Sequence, residues 1–236
     1  MEYRGEMVSA VRRLLDELSW EGNARKYRDG GLGLENVLTA EVFQALDFLP
    51  RQAFLASVLA GASGAPLKID QSDIEQAVVD ILPGDLTRPD LHIRAQPDVA
   101  IDSPGTFIFV EAKRLRPSSF QADQLAKELI LVAEHARGRR PALLLVLGAP
   151  PPVRVKGHGP LGIEDAVRLG QERISARHGR QVAVPDPLAT IAWTTWADIG
   201  AQVAAALQAY DNADDSTYNA VARVAMTVSD ALRVHA

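Results

Sequence analysis

Apolar positions recur at helical spacing from the start of the chain. Met7, Val11, Leu14, Leu15 and Leu18 predict an amphipathic helix over Glu6 to Leu18. A glycine-rich break, Asp29 to Gly33, separates it from a second helix carrying Leu38, Val42, Ala45, Leu46 and Leu49 on one face. Thr39 suits the N-cap of that helix, Glu41 its first turn, and Pro50 its end or a kink. Arg51 to Ala62 continues helical before a turn of small residues.

The period shortens after Pro89. Asp98 to Asp102 alternates, Ser103-Pro104-Gly105 signals a turn, and Thr106 to Arg114 reads as a strand rich in aromatic and β-branched residues. The two predict a hairpin. Ser118 and Ser119 suit the cap of a helix reaching Arg137, with Leu125, Leu129, Val132, Ala133 and Ala136 inward. Pro141 to Leu147 is apolar throughout, as in a central strand covered on both faces. A loop (Gly148 to Pro160), a helix (Ile163 to Arg177), a strand (Thr190 to Trp193) and two helices (Trp196 to Tyr210, Thr217 to Val234) complete the pattern. This order predicts an α/β fold with a mixed central sheet flanked by helices.

Composition narrows the chemistry. The 236 residues are 47% hydrophobic and 23% charged, with a net charge of -5, enough for one generous domain with a sizeable core. There is no cysteine, which excludes disulfides, zinc–thiolate sites and thiol catalysis. No apolar run reaches the roughly 18 residues of a membrane span, and the opening residues carry no signal-peptide core, so a cytoplasmic location is expected. The chain has no phosphate-binding loop ending in Gly-Lys-Ser/Thr, no G-x-S-x-G elbow and no H-E-x-x-H. Gly30 to Gly33 follows no strand and reads as a connector, and His158 reads as an exposed loop histidine.

One constellation remains. Phe107, Phe109, Glu111 and Lys113 fall on one face of the long hairpin strand, and Ile108, Val110 and Ala112 on the other. A strand apolar on both faces is covered on both, yet it ends in a carboxylate and an ammonium. Burying these costs several kcal/mol unless each finds a partner or a metal. The hairpin brings Asp98 beside them, which makes a hard oxygen site suited to Mg²⁺ and to phosphodiester hydrolysis. With five lysines and thirty acids, an acid two residues before a lysine arises by chance about 0.6 times, so the tripeptide alone carries nothing. Its position at the end of the best strand, one hairpin from Pro97-Asp98, carries the reading. The competing reading is a strand end emerging into solvent, with Glu111 and Lys113 as a hydrated pair worth under about 1 kcal/mol. Pro89-Asp90 lies too far upstream for that hairpin and reads as a strand start.

Pro97-Asp98 with Glu111-x-Lys113 resembles the signature of the PD-(D/E)XK phosphodiesterase superfamily, whose fold is restriction-endonuclease-like. The resemblance implies a core over about 35–196, within a single domain 1–236, with helical extensions at 1–28 and 197–236. It implies a Mg²⁺-dependent endonuclease, with Mn²⁺ as a substitute, using Asp98 and Glu111 as metal ligands and Lys113 to orient water. Glu35 is the match for the acid that members add from the first core helix, with Glu41 as the alternative. Gln124 matches a glutamine found after the lysine, with Gln121 equally available.

Arg114, Arg116, Arg137, Arg139, Arg140, Arg154 and Lys156 suggest a phosphate-binding rim around this centre. The expected partner is nucleic acid, DNA before RNA, in bacterial defence or DNA repair by association with the superfamily. A homodimer, joined through the apolar helix Val221 to Leu232, would supply two sites for a duplex, and a partner protein could supply specificity. The same helix could instead close the core. The rival functions are a catalytically silent module that binds nucleic acid or protein, and a hydrolase of a small phosphoester.

Overall fold

A computed structural model describes residues 32–113, 118–210 and 214–235, with side chains from Asn36 onward. The helix expected at Glu6 to Leu18, the extension 1–28, and Arg114 and Arg116 lie outside the described residues.

The elements in chain order are α1 (Leu32–Phe48), α2 (Leu55–Ala60), β1 (Ser63–Gly64), α3 (Gln71–Gln76), β2 (Val78–Ile81) and β3 (Leu86–Arg88). A 3-10 turn at Pro89–Leu91 leads to β4 (Ile93–Ala95), β5 (Val99–Asp102), β6 (Thr106–Ala112), α4 (Gln124–Ala136) and β7 (Arg140–Leu147). Then come β8 (Val153–Val155), β9 (Gly159–Leu161), α5 (Ile163–His178), α6 (Pro187–Thr190), β10 (Ile191–Thr195), α7 (Trp196–Ala209) and α8 (Asp215–His235).

Six strands form one mixed sheet in the order β1-β10-β7-β6-β5-β2. β2, β5 and β6 are antiparallel neighbours, β6, β7 and β10 run parallel, and β1 closes the edge antiparallel to β10. β3 with β4, and β8 with β9, make two small separate hairpins. Period-two alternation divides the strand residues between two cores. Val99, Ile101, Ile108, Val110, Ala142, Leu144 and Val146 face a core built with α1, α2, α7 and α8. Ala100, Phe107, Phe109, Leu143, Leu145 and Leu147 face a core built with α4 and α5. All seven residues of β6 are buried.

The structure corrects several expected boundaries. α1 begins at Leu32, so Thr39 is a buried residue of the helix interior rather than its cap, and Glu41 is not in the first turn. A helical glycine costs only about 1 kcal/mol, and burial of α1 against the sheet outweighs Gly33. Arg51 to Phe54 is a turn ahead of the short α2. Ser118 and Ser119 cap nothing. The chain stays extended there because the Phe120 N–H donates to Arg154 O at 2.9 Å and Phe120 O accepts from the Lys156 N–H at 2.9 Å. Those bonds lie beside β8–β9, a hairpin inside the expected loop Gly148 to Pro160. Pro89-Asp90 opens the 3-10 turn rather than a strand, with Asp90 taking a hydrogen bond from Arg88 Nε at 3.2 Å.

α8 turns Val221, Ala225, Val228 and Ala231 into the first core, so it closes that core. Between α1 and α8 an open groove of about 500 Å³ remains, with Phe48 and Val234 on its walls. Among the described residues no helix is long and apolar enough to cross a membrane.

α5 sets the position of α4 through one close approach. A Cβ on Gly170 would stand 2.9 Å from Ala126 Cβ and 3.1 Å from Ala122 O. Alanine would gain about 1 kcal/mol of helix propensity, but neither neighbour can swing aside, and overpacking of this kind costs about 1–3 kcal/mol. Gly170→Ala is therefore expected to lower stability by a net 1 kcal/mol or so, measured by urea unfolding, despite being the better helix former.

Candidate active site

The site is built where β5 leaves its pairing with β6. β5 pairs in register with β6 as far as Val99 opposite Val110, and Asp98, just before, bulges out of the ladder with its N–H also on the Val110 carbonyl. The Asp98 backbone is fixed on both sides: its N–H donates to Val110 O at 3.0 Å, and its carbonyl accepts from the Leu82 N–H at 2.8 Å. Its side chain reaches over the end of β6, where Oδ2 accepts from the Ala112 N–H at 2.7 Å.

Glu111 continues the face of Phe107 and Phe109 and is 4% exposed. Its Oε1 takes the Lys113 ammonium at 2.5 Å and also a hydrogen bond from Gln124 Nε2. The Lys113 side chain is 13% exposed and lies over the Phe120 ring, 4.9 Å from its centroid. The Lys113 backbone is held by the rest of the sheet. Its N–H donates to Val146 O at 2.7 Å, and its carbonyl accepts from Nε1 of the fully buried Trp196 at 2.7 Å.

Gln124, the first residue of α4, uses both ends of its amide. Its Oε1 accepts from the Gln121 N–H at 3.3 Å, so Gln121 contributes backbone while Gln124 reaches the carboxylates. One turn on, Glu128 is 2% exposed, and its Oε2 has no hydrogen-bond partner. Burial raises its pKa well above the ordinary 4.5, and the charges of Glu111 and Asp98 push it further. Lys113 and a hydrogen bond from Gln124 oppose the rise without cancelling it. Glu128 was missed from the sequence. Its signal is a carboxylate within the apolar stripe of Leu125, Leu129 and Val132, at the inward position three residues after Leu125.

Other expected site residues lie elsewhere. Glu35 falls in α1, and its side chain lies outside the described residues. Glu41 pairs with His235 Nε2 at 3.3 Å on the α1–α8 side. Arg139 and Arg140 do not rim this centre. Arg140 is paired in register with Thr106, six residues before Ala112, so it stands about 20 Å away at the opposite end of β6. Arg139 there ion-pairs with Asp102 and covers the Phe107 ring, while Arg140 donates to Lys68 O at 2.9 Å. The parallel return of the chain through α4 is the reason. Arg154 and Lys156 do reach the site's side of the fold, through their backbone bonds to Phe120, and Lys127 and Arg177 pair with Asp123 beside Gln124. His158 is exposed beside Arg173, 2.8 Å away.

Asp98 and Glu111 are the carboxylates available to a hard cation, with Glu128 behind them. Among the described residues, no three acids or histidines stand close enough to enclose an ion by themselves. Compared with protein-family models, curated proteins and solved structures, the chain matches none.

The raised pKa of Glu128 has a measurable consequence. A carboxyl whose folded pKa exceeds its unfolded value stabilises fully below about 4.5, and that contribution is lost as pH rises toward the folded pKa. Without divalent cations, stability of the wild type relative to Glu128→Gln should fall steadily as pH increases above about 4.5. Urea unfolding of both proteins across pH 4 to 8 reads this directly; parallel curves would contradict it.

Proposed function

We propose that this protein is a divalent-cation-dependent nuclease of the PD-(D/E)XK type. The observation that carries the proposal is the gathering at the end of β6 of the Asp98 carboxylate, which takes the Ala112 N–H at 2.7 Å, with Glu111 and Lys113, whose ammonium is 2.5 Å from Glu111. The fold reading has separate support: helix α1, the antiparallel run β2–β5–β6, helix α4 and the parallel strand β7 follow one another as a restriction-endonuclease-like core requires.

The residues fit a hard cation in chemistry. The Asp98 carboxylate reaches the end of β6, where Glu111 stands, and a third carboxylate, Glu128, keeps a buried oxygen without a partner. Asp98 and Glu111 would hold Mg²⁺, which when bound polarises a phosphodiester and acidifies a coordinated water. Gln124 and Lys113 restrain the Glu111 carboxylate, so its donor oxygens are oriented before substrate arrives. Lys113 orients the attacking water and offsets the charge that grows on the phosphoryl oxygens. Its position is set by Trp196 and Val146 on one side and by Phe120 on the other. Arg154 and Lys156, exposed beside Phe120, supply positive charge for the polymer backbone, with DNA the preferred substrate.

A second reading, a silent module of the same fold that binds nucleic acid or protein, is favoured by one observation. The Glu111–Lys113–Gln124 group satisfies itself within the chain.

The test is incubation with supercoiled plasmid, linear duplex and single-stranded oligonucleotides in Mg²⁺ or Mn²⁺. Lys113→Ala should lower the cleavage rate at least 100-fold while still binding Mn²⁺, and Asp98→Ala should weaken both. Full activity in Lys113→Ala would overturn its assigned role. A wild type that binds neither cation and cleaves nothing would favour the silent module.

A further inference from the structure

Glu128 is a carboxylate in a costly position. It sits on the second turn of α4, 2% exposed, in the core that contains Leu125, Leu129 and Leu145. A buried carboxyl without a full set of partners costs several kcal/mol relative to water. An apolar residue would fit the stripe without that cost.

Its surroundings point to a purpose. Gln124 donates to Glu111, and Glu128, one turn further along α4, lies within reach of the charges of Glu111, Lys113 and Asp98. Four residues apart, Gln124 and Glu128 share the face of α4 that reaches Glu111. Among the described residues, Glu128 Oε2 takes no hydrogen bond. That oxygen is completely buried, on a side chain that feels the charges of Asp98 and Glu111. A small hydrated cation suits such an arrangement. Mg²⁺ keeps several waters and takes only one or two carboxylates directly, so its shell needs further acceptors just beyond the first ligands.

Resting on the nuclease reading above, we infer that Glu128 is the third carboxylate of the site. Its free Oε2 accepts from water on a divalent cation held by Asp98 and Glu111. It is a positioning residue: it acts on the cation through water and touches neither the scissile phosphate nor the nucleophile's attack path. Asp98 and Glu111 would be the direct ligands, with Glu128 one water further out.

The experiment is calorimetric titration of the full chain with Mn²⁺ alone, without nucleic acid, for the wild type, Glu128→Gln and Glu128→Met. The methionine variant fits a buried helix face if the amide folds poorly. Both variants should bind Mn²⁺ at least 10-fold more weakly than the wild type, the usual effect of removing an outer partner of a metal site. Wild-type Mn²⁺ affinity in both variants, with metal-dependent cleavage intact in the wild type, would overturn this inference and leave the nuclease reading standing. A wild type that binds no Mn²⁺ would overturn both.

Discussion

A glutamate and a lysine close the end of a strand in which every residue is buried, and the surrounding structure is organised around that constraint. β6 is the third strand from one edge of the sheet, covered by α-helices on both faces. An ion pair in such a position is not a source of stability, since its desolvation is only partly offset by the attraction. It persists because neighbouring groups complete it: Gln124 from α4, the Phe120 ring beneath the ammonium, and Asp98 across the hairpin.

Each of those groups is held by a different part of the fold. Asp98 is fixed by backbone bonds to β6 and to the end of β2, so its carboxylate has little freedom to leave the strand end. Trp196, at the start of α7, hydrogen-bonds the Lys113 carbonyl from the other core, linking the site to β10 and the C-terminal helices. Thr195 and Asp198 form a reciprocal cap that fixes where α7 begins, and with it Trp196. α4, which supplies Gln124 and Glu128, is set against α5 by the absence of a side chain at Gly170. The position of a few polar atoms thus depends on packing in both cores.

Much of this was legible in the sequence because it rests on local patterns. The hairpin of Asp98 to Asp102 with Thr106 onward, the apolar β7 and the inward face of α4 all follow from periodicity, and the hairpin brings the Asp98 carboxylate to the Ala112 N–H at the end of β6. What was not legible depends on tertiary contacts. β1, β2, β3 and β4 are two to four residues long and become strands only by pairing, too short for alternation to mark them. Thr39 looked like a cap because capping chemistry is local, whereas the start of α1 is decided by its burial against the sheet. Arg139 and Arg140 were drawn toward the site by their nearness in sequence to β7, but a parallel strand begins at the far end of its neighbour. Glu128 was visible as an acid in an apolar stripe. Its meaning required the geometry of Gln124 and Glu111 around it.

On the proposed reading, these carboxylates are an acceptor set for a divalent cation rather than a self-contained polar plug. Diffraction from crystals soaked in Mn²⁺, recorded where manganese scatters anomalously, tests this most directly. The account predicts a single strong anomalous peak about 2.1 Å from one oxygen each of Asp98 and Glu111, with a water between it and Glu128. No peak at that position, with Lys113 and Gln124 still closed over Glu111, would contradict it.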